Sequence, residues 1–541
     1  MTDFPLLLKS ILYRANLVYP EQEIVTRTAS GRRRYTYRDM IGRAAQLAHA
    51  LDHAGITAGD RVASFAWNHD RHLELYYGVP CSGRILHTVN IRLSADQLVY
   101  TINHANDKIL FVDEDLVSLI APIASQLQTV ERYVVLTDKL DVSDVLPGAI
   151  SYEAFIADMP DVYDYPDFAE STPAILAYTS ATTGDPKGVL YSHRGLYLHA
   201  LMFMTGYFAL DDSDASLPIV PMFHVNAWGR PFCDLWSGAK IVLPGARPSP
   251  ADIADLIVSE GVTFSAGVPT VWMGMLEHVR KHPGKYDFRR VRTLISGGQA
   301  LPESLVRAYQ EELGVAIYQG YGQTETSPVT FLGAPKHTIL QLSADEQIRY
   351  RTKTGLLVPG LEMKLVDDAG RPVPHDGVSR GELWLRGPWI ANEYYRNPEE
   401  TAQAFVDGWF RTGDIATMDE EGYLQIVDRS KDLIKSGGEW ISSVDLENLL
   451  MAHEDVVEAA VIGIPDELWQ ERPLACVVLR RGADLKQPSD ALRQFLRGRV
   501  PNFWIPEAFV FLDEIPKTSV GKFAKRTLRE QYRRGELAVQ A

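Results

Sequence analysis

The chain has 541 residues, too many for one hydrophobic core, since single cores stop growing at roughly 250–300 residues; two or more domains are expected. Its 46% hydrophobic and 23% charged content is that of an ordinary folded protein and gives no sign of extended disorder. A formal charge of −16 argues against a general nucleic-acid binder, which carries a basic face, and any bound polyphosphate must be held by local donors. The longest apolar runs, such as residues 217–223 and 459–465, fall well short of the roughly 18–20 residues that span a bilayer. Asp3 precedes any basic residue and no small-residue cleavage site follows residues 6–8, so a secretory signal is not expected. Cys81, Cys233 and Cys476 lie far apart without C-x-x-C spacing. They make neither a disulfide framework nor a zinc site and fit buried small side chains in a reducing cytoplasm.

In chain order, the first 170 or so residues alternate helix and strand signals, a pattern of layered α/β structure. Residues 38–53 read as an amphipathic helix, and 108–112 and 132–137 as strands. A polar, Pro- and Asp-rich stretch at 158–173 leads into an apolar strand at 174–178, and a helix is expected to begin near Gly195. Short strands follow at 240–243, 263–266 and 293–295, with a helix at 302–313. Residues 361–366, 382–385 and 423–427 mark a more β-rich region. From about Ser430 the mixture repeats on a smaller scale, with strands at 457–464, 474–479 and 508–512 and helices at 444–451 and 489–499. These signals divide the chain into an N-terminal unit, 1–429, made of two α/β layers plus a β-rich region, and a small α+β unit, 430–541.

The segment between Tyr178 and Gly188 carries the most chemistry. Thr179, Ser180, Thr182 and Thr183 are hydroxyl residues in a run that closes on Gly184 and Lys187. Hydroxyls and backbone N–H groups can ring phosphate oxygens while a lysine adds a positive charge, so the run suits an anionic ligand. It lacks the G-x-x-x-x-G-K-[ST] spacing of a Walker A loop. By composition alone, a solvated Ser/Thr/Gly loop is the commoner outcome.

The run resembles the phosphate-binding signature of the acyl-adenylate-forming superfamily, which includes acyl-CoA synthetases, luciferases and peptide-synthetase adenylation domains. The signature usually reads [ST]-G-T-T-G-x-P-K-G, and this chain departs from it at Ala181, where glycine is usual. Further motifs of the same superfamily follow in order. Ser296-Gly297-Gly298-Gln299-Ala300 resembles the loop that borders adenine. Gln319-Gly320-Tyr321-Gly322-Gln323-Thr324-Glu325 resembles the block in which an aromatic ring stacks on the base, a hydroxyl meets the phosphates and a carboxylate holds Mg²⁺. Asp414, in W-F-R-T-G-D, matches the aspartate that bonds the ribose hydroxyls. Arg429 and Lys431, in D-R-S-K-D-L-I-K, match a ribose contact and an interdomain hinge, and Lys522, in P-K-T-S-V-G-K, matches the adenylation lysine. Each charge taken singly would be an ordinary surface residue. Their order, spanning roughly residues 35–528, makes the resemblance specific.

What the resemblance implies is an ATP- and Mg²⁺-dependent enzyme that converts a carboxylic acid to its acyl-adenylate and passes the acyl group to coenzyme A. Thr179, Lys187, Glu325, His224 and Lys522 are then the catalytic candidates, with Thr179 and Glu325 beside the metal. The C-terminal unit is mobile in this family and alternates between the half-reactions, bringing Lys435, Gly437, Gly438, Glu439 and Trp440 to the thiol. The run P-M-F-H-V-N-A-W-G-R at 221–230 has His224 and Asn226 where amino-acid-activating relatives place an aspartate. It resembles medium- and long-chain fatty-acyl-CoA synthetases and 3-methylmercaptopropionate–CoA ligases. An unbranched aliphatic acid is therefore expected, in a pocket walled by Val225, Trp228, Val268, Pro269, Trp272 and Gly297. Lone His224 suits substrate positioning better than metal ligation. Transfer to a carrier protein, and a catalytically silent nucleotide- or fatty-acid-binding protein, remain as alternatives. Relatives of this kind are often homodimers. Gly377-Val-Ser379-Arg-Gly381 fits G-x-S-x-G but lacks the strand before and helix after that a nucleophile elbow needs, and it reads as a loop.

Overall fold

The computed structural model describes residues 4–142, 144–179, 185–205, 208–437, 439–480, 482–483, 485, 487–517 and 523–540. Four sheets organise them. The first has seven strands, ordered Ile150–Ser151, Arg132–Leu136, Asp107–Asp113, Arg61–Phe65, Ile85–Thr88, Pro173–Tyr178 and Gly188–Ser192. All neighbours are parallel except the last pair. The second has nine strands, with a parallel centre running Ile317–Gly322, Thr293–Gly297, Phe264–Gly267, Ala215–Pro218, Lys240–Leu243 and Glu23–Thr28. Central strands of the first sheet such as Arg132–Leu136 and Pro173–Tyr178 are largely buried and read as nearly continuous apolar runs. A five-stranded antiparallel sheet built around Gly381–Arg386 and Trp409–Met418 is the β-rich region. The fourth sheet, centred on the antiparallel pair Val456–Asp466 and Gln470–Leu479, forms a smaller α/β unit with the helices Ser443–Met451, Pro488–Leu496 and Lys525–Arg533. The chain passes from the third sheet to the fourth between Arg429, the end of one strand, and Ile434, the start of the next.

Local chemistry explains the element boundaries. The helix Tyr37–His53 starts where the Thr36 hydroxyl accepts from the Asp39 N–H while the Asp39 carboxylate accepts from the Thr36 N–H. Such a reciprocal cap satisfies two otherwise orphaned donors and contributes about 1 kcal/mol. Tyr37, Met40, Ala44, Leu47, Ala48 and Leu51 recur at three- and four-residue spacing and face the core. The strand Gly188–Ser192 was not expected. It turns the hydroxyl-rich segment into the connection of an antiparallel hairpin, and the next helix begins at His193, capped by Ser192, rather than near Gly195. The helix expected over 489–499 stops at Leu496, three residues early. Gly377–Gly381 is a loop, as its flanks suggested: Asp376 Oδ1 accepts from the Val378 and Ser379 N–H groups ahead of the strand Gly381–Arg386.

His72, His193 and His199 are wholly buried, and burial, the largest cause in each, pushes their imidazoles down to about 4, about 3 and about 3. The unfolded chain takes up these protons near pH ~6.5, while the folded chain does so only well below it. Between those limits the unfolded state binds more protons, so these histidines make stability fall as the pH drops below about 6.5. His199→Gln should therefore give a thermal midpoint that declines less steeply with acid than the wild type over roughly pH 6.5 to 4. An identical slope for both proteins would mean that His199 already titrates normally in the fold.

Candidate active site

A cavity of about 1230 Å³ lies where the second and third sheets and the C-terminal unit meet, and it gathers most of the residues singled out from the sequence. Thr179, Lys187, His224, Val225, Trp228, Val268, Pro269, Gly298, Gln299, Ala300, the stretch 319–325, Asp414 and Arg429 all line it. They come from the ends of different strands and the turns after them, as ligand-binding residues in open α/β sheets do.

The hydroxyl-rich segment is pinned at its base. The Thr179 N–H donates to the Lys187 carbonyl at 2.9 Å, and the Lys187 N–H donates back to Thr179 Oγ1 at 3.1 Å. Ser180, Ala181, Thr182, Thr183 and Gly184 lie between these anchors and outside the described residues. The Lys187 ammonium is paired with Glu400 and stands 4.9 Å from the centre of the Tyr394 ring. Tyr394 in turn donates its hydroxyl to Glu325 Oε1 at 2.6 Å, so two of the expected groups are held by one tyrosine. Burial and the adjacent Glu325 carboxylate push the Tyr394 phenol well above its ordinary range, so it stays a donor. Glu325 is nearly buried and is also fixed through its backbone, whose carbonyl accepts from the Ala391 N–H at 2.8 Å. A hard carboxylate with the Thr179 hydroxyl on the same wall is a fitting donor set for a Mg²⁺ ion carried by a nucleotide, which keeps several waters and asks for few protein ligands.

Asp414 takes more donors than Glu325 does. Its Oδ2 accepts from the Tyr321 hydroxyl at 2.5 Å and from Gln323 Nε2 at 2.7 Å, while Arg429 Nε approaches Oδ1 at 3.4 Å. The attraction of Asp414 raises the Arg429 guanidinium further, and burial raises the Tyr321 phenol. Gln319 ties the two neighbouring strand ends together: its Oε1 accepts from the Leu301 N–H at 2.7 Å and its Nε2 donates to the Gln299 carbonyl at 3.0 Å.

The apolar part of the cavity departs from expectation at two positions. Trp272 is fully buried in a separate core behind the second sheet, where its Nε1 donates to the Ile295 carbonyl at 3.1 Å. Its neighbour Met273 lines the cavity instead, because one step along a helix turns a side chain by about 100°. Gly297 is not a wall either; it makes room for one. A Cβ there would stand 2.7 Å from the Trp228 ring and 2.7 Å from the Gly320 carbonyl oxygen. Trp228 belongs to the left-handed turn Val225–Gly229, in which Val225, Asn226, Ala227 and Trp228 have φ of 42°, 54°, 46° and 58°. Each non-glycine residue held so costs roughly 1–2 kcal/mol, which surrounding packing must offset.

Lys522 lies outside the described residues, as do all of 518–522, but the residues flanking them lie on the cavity wall. Lys517 and Phe523 pair as an antiparallel bridge, the Ala524 N–H donates to the Pro516 carbonyl at 2.7 Å, and Lys517, Phe523 and Ala524 all line the cavity. The second C-terminal set is elsewhere. Lys435 and Trp440 line a separate depression with Lys431, and Gly437 packs under the Trp469 indole, with Gly438 outside the described residues and Glu439 exposed on the strand Glu439–Ile441. Burial and the nearby Arg429 hold the Lys431 ammonium below the ordinary lysine range. Tyr394 and Glu400 were not foreseen, because no motif spacing marks residues that act by holding others.

Residues 12–395 match the family model described as AMP-binding enzyme, and residues 445–522 match AMP-binding enzyme C-terminal domain. The chain is 46% identical over 536 residues to a long-chain-fatty-acid–CoA ligase of Thermus thermophilus, covering 98% of this chain and 97% of that one. It is 41% identical over 540 residues to a 3-methylmercaptopropionyl-CoA ligase of Ruegeria lacuscaerulensis, covering 98% of each. Among solved structures it is similar to the anthranilate CoA ligase AuaEII in complex with anthranoyl-AMP, with a TM-score of 0.89, 27% identity and coverage of 99% of this chain and 100% of that one.

Gly297→Ala should displace the Trp228 ring and destabilise the protein by about 1–3 kcal/mol, the usual cost of overpacking. Denaturant titration followed by tryptophan fluorescence reads both effects; an unshifted midpoint and an unchanged spectrum would contradict the contact.

Proposed function

The chain belongs to the AMP-binding enzyme family, and from that premise we propose that it is a fatty-acid–CoA ligase acting on a medium- or long-chain aliphatic acid. ATP and coenzyme A are its other substrates. The observation that carries this reading is one cavity with two kinds of wall. Thr179, Lys187, Glu325, Asp414 and Arg429 make a polar wall, while Phe203, Phe208, Phe264 and Val268 make an apolar one.

A carboxylate is a poor acyl donor because its leaving group would be oxide. Attack of a carboxylate oxygen on the α-phosphorus of ATP forms the acyl-adenylate and breaks the bond to the β-phosphate, releasing pyrophosphate. Two anions must meet, so the protein's work is neutralisation and alignment. Asp414 accepts from the ribose hydroxyls with Arg429 beside it, and Tyr321 lies against the base. Thr179 and Lys187 take up the leaving phosphates, with the lysine exchanging Glu400 for a phosphate oxygen. Glu325 offers a hard oxygen to the Mg²⁺ that comes with ATP, which when bound neutralises phosphate charge. Lys522 bridges the carboxylate and the α-phosphate. In the second half-reaction the coenzyme A thiolate attacks the acyl carbonyl carbon and AMP leaves, with the 435–440 segment moved to the cavity by rotation about Lys431.

The left-handed turn bearing Trp228, with His224 just before it, supports an acid without an α-amino group, since among the described residues of that stretch there is no carboxylate to pair with an ammonium. The Ruegeria relative keeps a short thioether acid as a second reading. No helix among the described residues is long and apolar enough to cross a membrane. Three buried free cysteines fit the cytoplasm, where both nucleotide substrates are found.

Lys522→Ala should slow acid-dependent pyrophosphate release by on the order of 10²–10³, the loss of one electrostatic donor worth about 3–4 kcal/mol. Thioester formation from pre-formed acyl-AMP should be partly retained. Equal loss of both half-reactions would contradict the division of labour assigned to the lysine, and absence of acid-dependent pyrophosphate release in the wild type would overturn the ligase reading itself.

A further inference from the structure

The apolar wall of the cavity contains one charged residue that the reaction does not use. Arg230 opens the helix Arg230–Ser237 and is 1% exposed, as is its partner Asp234 one turn later. A single nitrogen carries the pairing: Nη2 is ion-paired with Asp234 and donates to Ser216 Oγ at 2.7 Å, and Ser216 donates onward to Asp234 at 2.6 Å. Among the described residues Nε and Nη1 have no hydrogen-bond partner. The guanidinium carbon stands 4.1 Å from the centre of the Phe264 ring and 5.8 Å from that of Phe203, and all three side chains line the cavity. Phe208 completes this arm, 4.8 Å from Phe203 and 5.5 Å from Phe264 between ring centres.

Buried donors are nearly always satisfied, and an arginine left with two unpaired nitrogens in a cavity wall is an incomplete site. Asp234 already supplies the counter-charge, and among the described residues no second cation lies over the Phe203 or Phe264 ring, so an acceptor that brings another negative charge would be poorly met there. A neutral oxygen needs no counter-ion and can accept from one or both free N–H groups.

We propose that Arg230 is a specificity-determining residue that reads a neutral oxygen, a hydroxyl or keto group, carried on the acyl chain, so that the enzyme prefers oxygen-bearing aliphatic acids to plain alkyl acids of equal length. This rests on the CoA-ligase reading and names the substrate class within it. The aromatic rings pack on the methylenes, while the guanidinium selects the oxygen; an alkyl acid of the same length must leave the donors unpaired or strand a water against them. A site built to hydrogen-bond a substrate oxygen discriminates strongly against the analogue without it.

The test is AMP formation by the full-length protein with ATP, Mg²⁺ and coenzyme A. Butanoate, octanoate and dodecanoate are each compared with their positional oxo and hydroxy derivatives and with the dicarboxylic acid of the same length. The expected result is that at least one oxo or hydroxy acid exceeds its alkyl parent in kcat/KM by on the order of tenfold or more, mainly through KM. In the double variant Arg230→Met/Asp234→Ser, which removes both charges together, that ratio should collapse toward one. Alkyl acids equal to or better than every oxygenated derivative would overturn the proposal, and so would a dicarboxylic acid as the best substrate, since that is recognition of an anion. If the double variant does not fold, the wild-type comparison decides alone. Failure of every acid to release pyrophosphate would count against the ligase reading instead, which keeps the two failures distinguishable.

Discussion

The carboxylate of Asp414 is where separate parts of the chain are tied together. It sits on the long strand of the third sheet and accepts from Tyr321, on the edge strand of the second sheet's parallel centre, and from Gln323 just past that strand. Arg429, the last residue before the chain crosses to the fourth sheet, closes the group from the other side. A buried carboxylate with three donors is also a rigid one, and positioning of this sort is what alignment of two anionic reactants demands.

Polar contacts also tie the start of the C-terminal unit to its helices. Asp428 accepts from the Ser443 N–H at 2.8 Å, Lys525 donates to Ser443 Oγ at 2.6 Å and pairs with Glu447 at 2.7 Å, and Arg529 meets Asp432 at 2.7 Å. Burial pushes the Glu447 carboxyl up to about 7, although the Lys525 ammonium beside it works in the opposite direction. In that unit Lys517 and Phe523 line the cavity while Lys435 and Trp440 line a depression of their own.

Several side chains in the cavity are committed to protein partners that a ligand must displace or complement. Lys187 is paired with Glu400, Glu325 is held by Tyr394, and Arg230 keeps only part of its hydrogen-bonding capacity for Asp234 and Ser216. The first two arrangements give each charged group a partner within the protein. The third leaves two buried N–H groups without an acceptor among the described residues. In the proposed reading, specificity and catalysis are set by different walls of one cavity.

Much of this was legible in the sequence because short polar motifs carry their own geometry. Thr179, Lys187, Glu325, Asp414 and Arg429 lie in local patterns whose spacing around strand ends is fixed by the backbone, and capping residues such as Thr36 announce where helices start. The sequence alone determined which donors and acceptors exist, their order along the chain, and the class of chemistry they can perform. Only the tertiary structure decided which of them meet. The strand Gly188–Ser192 forms because Pro173–Tyr178 is there to pair with it, Met273 rather than Trp272 faces the cavity because helix phase points it there, and Glu400 reaches Lys187 across 213 positions of sequence. Side-chain direction and long-range pairing depend on how elements pack, and a linear pattern carries no term for that.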